Sequence, residues 1–152
     1  MSKPITRAED LVAWQFASEL ADLVDEITEK LGGEDPDWIR QIRKSSAKVP
    51  AQIEEGFLRF LPRDSANYYR YARASLGETR SHLRRGRRRR HLTEDTFQRA
   101  MTLVESAMST TMGLLKSRLE ASKGQRRNRR TPPAAKAPKT PRRREYLKHV
   151  PD

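Results

Sequence analysis

The chain contains no cysteine. That excludes a disulfide framework, a thiol nucleophile and a cysteine-built metal site. A reducing interior suits such a chain. It has no apolar run approaching the ~20 residues that a membrane-spanning helix needs. Met1 to Leu31 lacks the basic start and apolar core of a secretory signal and carries acids from Glu9 onward. The expectation is a soluble, cytoplasmic protein with no membrane partner. A Gly-rich phosphate loop and a serine–histidine–acid pattern are also missing. Histidine is scarce, with three in all. Glu78 and His82 stand four apart on one helical face, but di-metal bundles use Glu-x-x-His at a spacing of three, backed by carboxylates from other helices. No catalytic residue, metal ligand or cofactor is expected, and the chain reads as non-enzymatic.

What is present is positive charge, unevenly placed. The 152 residues carry a net charge of +12. Residues 1–122 hold 21 basic and 18 acidic side chains, whereas residues 123–152 hold 11 and 2. Within the first part, the stretch LRRGRRRRHL packs Arg84, Arg85, Arg87, Arg88, Arg89 and Arg90 around Gly86. Without those six the first 122 residues would be net negative. Such asymmetry points to a polyanionic partner, most simply RNA or DNA.

Four helical segments follow from apolar periodicity. Ala13, Ala17, Leu20, Val24, Ile27 and Leu31 alternate spacings of four and three, the seam of a packed helix. Thr6 and Glu9 suggest a capping box ahead of it, and Gly32 with Gly33 ends it. The second segment starts with Asp35 as N-cap and Pro36 in the first turn. Its stripe is Ile39, Ile42, Ser46, Val49, Ile53, Phe57 and Phe60, with Pro50 inside as a kink and Gly56 as a place of close approach. Pro62 closes it. The third opens at Asp64 or Ser65 and buries Tyr68, Ala72, Leu76, Thr79 and Leu83. The fourth opens at Thr93 and runs through Phe97, Met101, Val104, Met108, Thr111, Leu115 and Leu119 to about Ala121. Short connections between long helices favour antiparallel neighbours. The predicted fold is an all-α, up-down four-helix bundle over residues 1–122, followed by a disordered basic tail over 123–152.

Three stretches carry a resemblance: DLVAWQFASELADLV (Asp10 to Val24), QIRKSSAKVPAQIEEG (Gln41 to Gly56) and YARASLGETRSHL (Tyr71 to Leu83). Together they resemble the bacterial four-helix bundle proteins called 23S rRNA intervening-sequence proteins. These are related in fold to the accessory variability protein of diversity-generating retroelements. The most specific residues are Gln41, Ile42, Arg43, Pro50, Ile53, Glu55 and Gly56. Lys48, Gln52 and Glu54 depart from the usual serine, asparagine and alanine, and the arginine run and basic tail are additions. The resemblance implies a ring-like homo-oligomer, a pentamer, and no established reaction. In the retroelement relatives it implies contact with nucleic acid and a reverse transcriptase.

The arginine run has two readings. Cations at a helix C-terminus complement the partial negative charge of the last carbonyls. Six in seven residues repel one another, however, and guanidinium groups suit phosphate. The expectation is a polyanion-binding pole at Arg84–Arg90, joined by the tail residues Arg126, Arg127, Arg129, Arg130, Arg142, Arg143 and Arg144. The rival is a protein–protein scaffold in which the arginines meet an acidic surface, for instance on a reverse transcriptase. Tyr68, Tyr69 and Tyr71 interleave with Arg70 and Arg73. Packing or a subunit contact accounts for these tyrosines better than base stacking does. His91 has no evident partner.

Overall fold

The computed structural model describes residues 3–130. A single 3-10 turn, Ala8–Asp10, leads into α1 (Val12–Glu29), and α2 (Pro36–Leu58), α3 (Pro62–Arg88) and α4 (Glu94–Arg130) follow. Each helix packs on two others: α1 on α2 and α4, and α3 on α2 and α4. That arrangement is a four-helix bundle with α1 and α3 on diagonal corners. Among the described residues there is no strand.

One continuous core runs down the bundle axis. Leu20, Val24, Ile42, Val49, Ile53, Leu76, Leu83 and Val104 are fully buried. At about 25 cal/mol per Å² of apolar surface removed from water, such burial is the main term favouring the fold. Two buried serines and a threonine are satisfied within the bundle. Thr79 donates to Ser45 Oγ at 2.9 Å, Ser45 donates to the Ile42 carbonyl, and Ser46 donates to the Arg43 carbonyl.

α2 begins as the sequence predicts. Asp35 is its N-cap and accepts from the Trp38 amide. Pro50 lies within the helix and carries its kink, because proline has no amide to offer the preceding turn. The close approach expected at Gly56 is present. A Cβ there would lie 2.7 Å from the ring of Tyr69.

Several local expectations are corrected. Asp10 rather than Glu9 serves the chain start, accepting from the Thr6 and Arg7 amides. Pro62 opens α3 instead of closing α2, with Leu61 as the capping residue. Proline is well suited to that first position, and Ser65 instead donates to the Gly56 carbonyl at 2.7 Å. Tyr69, not Tyr68, enters the core, because Gly56 makes room for its ring, while Tyr68 meets Arg59 at the surface. Phe60 lies past the end of α2 and is 94% exposed. The fourth helix does not stop near Ala121 but continues to Arg130. No proline interrupts it before Pro132, and the one glycine beyond Ala121, Gly124, costs only ~1 kcal/mol. The remainder of the expected tail, 131–152, lies outside the described residues.

Candidate nucleic-acid interface

The arginine run occupies the last turns of α3 and the corner leading into α4. Its interruption at Gly86 has a structural cause. Gly86 is buried, and a Cβ on it would fall 2.4 Å from Cζ2 of Trp38. The Trp38 side chain is fully buried and donates its indole N–H to the His82 carbonyl at 2.9 Å. An arginine at position 86 would therefore strike the base of the core.

The six arginines divide into two groups. Arg87 pairs with Glu94 at 2.8 Å and lies over the Phe97 ring, with its guanidinium 4.6 Å from the ring centre. Arg89 pairs with Asp35, which also sits 3.0 Å from His91 Nε2. His91 in turn stacks obliquely on Trp38, 4.9 Å between ring centres. Asp35, Arg89, His91 and Trp38 thus tie the start of α2 to the α3–α4 corner. The hydrogen bond from His91 is the main reason that the Asp35 carboxyl is held down at about 2, with Arg89 and the Trp38 amide helping against partial burial. Periodicity does not reveal this cluster. A capping aspartate followed by a tryptophan is legible in the sequence, but its partners lie more than 50 residues further along the chain.

Arg84, Arg85, Arg88 and Arg90 form the other group. All four are exposed and make no ion pair among the described residues. Arg90 has φ of +61°, which turns the chain sharply at the pole. These four fit phosphate contact. The other two arginines hold the corner that presents them.

The structure does not gather all the expected site residues into one face. Arg126, Arg127, Arg129 and Arg130 lie on the last turns of α4, near its far end. The helix rises 1.5 Å per residue, so Arg126 lies roughly 50 Å from the arginine pole. Residues 123–129 are exposed. Arg142, Arg143 and Arg144 lie outside the described residues. Among the described residues no three metal-ligating side chains cluster, and Glu78 and His82 approach only to 4.0 Å. No helix of the described residues is long and apolar enough to cross a membrane.

A family model for the 23S rRNA-intervening sequence protein matches residues 9–113, which takes in α1, α2, α3 and more than half of α4. No curated protein matches the chain.

Proposed function

The chain belongs to the 23S rRNA-intervening sequence protein family, and on that premise we propose that it is a non-enzymatic, homo-oligomeric adaptor that binds nucleic acid through phosphate contacts. The observation that carries the proposal is the set of four exposed arginines, Arg84, Arg85, Arg88 and Arg90, without ion pairs among the described residues and beside two that are paired. Like charges held this close repel, and a polyanion relieves the repulsion while releasing its counterions. The far end of α4, with Arg126, Arg127, Arg129 and Arg130, supplies a second basic contact. Contacts of this kind position a nucleic acid without reading its sequence, so affinity is broad and depends on salt. A ring of five like-oriented copies would set the arginine poles on one rim.

The rival reading is a scaffold for a nucleic-acid enzyme such as a reverse transcriptase. Co-purification of the full chain with and without nuclease separates the two. Partners lost on digestion support the nucleic-acid adaptor. A protein partner that survives digestion supports the scaffold.

A further inference from the structure

The outer faces of α1 and α3 are opposite in charge. α1 carries Glu19, Asp22, Asp25, Glu26 and Glu29 and no lysine or arginine. All five acids are exposed. Among the described residues, Asp25 alone of the five has an ion-pair partner, Arg43 at 3.8 Å. α3 carries eight arginines against Asp64 and Glu78. Four of these, Arg70, Arg73, Arg80 and Arg84, follow a helical ladder with Gly77 at the missing rung. The acids Glu19, Asp22, Glu26 and Glu29 keep the same alternation of three and four. Each stripe is therefore a row of one sign along one helix face.

The arginine row borders a groove between α3 and α4. Arg70, Arg73 and Arg80 form one wall, and Met108 and Met112 the other. A separate hollow between the same two helices, lined by Arg84, Arg87, Arg88, Met101 and Glu105, lies further along at the arginine pole. Gly77 lies in the groove, and a Cβ there would meet nothing within 4 Å. A mid-helix glycine costs ~0.5–1 kcal/mol relative to alanine, and no contact among the described residues requires it. Methionines mixed with arginines are the composition of a protein contact. A phosphate backbone has no use for the apolar wall.

We infer that the α3–α4 groove receives the acidic face of α1 from a second copy of this chain. The occupant is chosen by charge: the row of acids faces outward from the opposite corner of the same bundle, so every copy offers both halves. Such a contact is head-to-tail, and it closes into a ring when the rotation per copy divides a full turn. Ser18 and Ala21, small and half-buried beside the acids, let the α1 backbone come close to Gly77. The inference rests on the homo-oligomeric part of the proposed function and names its surfaces. Arg70, Arg73 and Arg80 carry the contact, and Arg85, Arg88 and Arg90 of the pole stay free for phosphate.

The test is the solution mass of the full chain after nuclease treatment, by analytical ultracentrifugation at low and high salt. Wild type is compared with Asp22→Lys/Glu26→Lys, with Arg73→Glu/Arg80→Glu, and with the combined variant. Wild type should sediment as an oligomer whose mass falls as salt screens the contact. Each one-sided variant should be a monomer with an unchanged circular dichroism spectrum. The combined variant should recover the oligomer, because the signs are exchanged rather than lost. Recovery also rules out misfolding as the cause of the monomers. The inference is overturned if wild type is a monomer at low salt, if the one-sided variants keep the wild-type mass, or if the combined variant stays monomeric. RNA binding by the same proteins is read separately. Should Arg73→Glu/Arg80→Glu lose RNA while keeping its mass, the groove belongs to nucleic acid and the inference fails, with the adaptor reading intact. Should assembly behave as expected while no variant or wild type binds RNA, the interface stands and the nucleic-acid reading fails.

Discussion

The indole of Trp38 fills the place where a Cβ on Gly86 would stand, 2.4 Å from Cζ2. This contact joins the start of α2 to the end of α3 and sets the corner from which the arginines project. Gly86→Ala should therefore destabilise the fold. Overpacking costs about 1–3 kcal/mol, which exceeds the ~1 kcal/mol that alanine gains in a helix. Urea denaturation measures the difference. A variant as stable as wild type would mean that the ring moves aside freely.

Asp35 links the same corner to pH. Its carboxyl is held down at about 2 in the folded chain by His91 and then Arg89, against 3.8 for a free aspartate. A depressed folded value means that the contribution to stability is complete above about pH 4 and is lost as pH falls towards 2. Asp35→Asn should melt below wild type at pH 6, and the gap should close in acid. Melting curves from pH 6 to pH 2 check this. A gap that stays constant through that range would contradict the pairing.

The arginines of the run should separate by role. Arg87→Ser or Arg89→Ser removes a partner of Glu94 or Asp35 and should lower the melting temperature. Arg85→Ser or Arg88→Ser removes only an exposed charge and should leave it unchanged or raise it slightly by relieving repulsion. Differential scanning fluorimetry on the four single variants is enough.

Two aromatic residues test the core assignment. Tyr69→Ala should cost about 3 kcal/mol or more, because its ring is buried against α2. Phe60→Ser should fall within roughly 0.5 kcal/mol of wild type, because Phe60 is almost fully exposed. Urea denaturation of both variants reads the contrast.

The bundle is legible in the sequence because its stripes are long. The seam residues from Ala13 to Ile27 and from Ile42 to Ile53 keep the helical alternation and are buried. The α2–α3 corner is not legible from periodicity alone. Leu58, Phe60 and Leu61 continue the apolar character to the end of α2 and beyond, yet all three are exposed. A proline that opens the next helix looks in sequence much like one that closes the last. Tyr68 and Tyr69 stand four and three residues before the buried Ala72, both helical spacings, and the space at Gly56 selects Tyr69. The arginine run is visible at once, but its division is not. Which guanidiniums are engaged depends on Asp35 and Glu94, and only the folded corner brings Asp35 close. The extension of α4 is hidden because its last turns are so basic that they resemble a tail.

The central claim is that the folded pole, and not the basic C-terminal end alone, contacts phosphate. The direct measurement is a salt series of binding to a DNA duplex, comparing the full chain with its Arg85→Ser/Arg88→Ser/Arg90→Ser variant, and with a structured RNA alongside. Each duplex phosphate neutralised contributes about −0.9 to the log–log slope, so losing three contacts should flatten it by roughly 2–3. Weaker binding with that flatter slope is the predicted result. An unchanged affinity and slope would contradict the account and leave the arginine run as a solvated helix end.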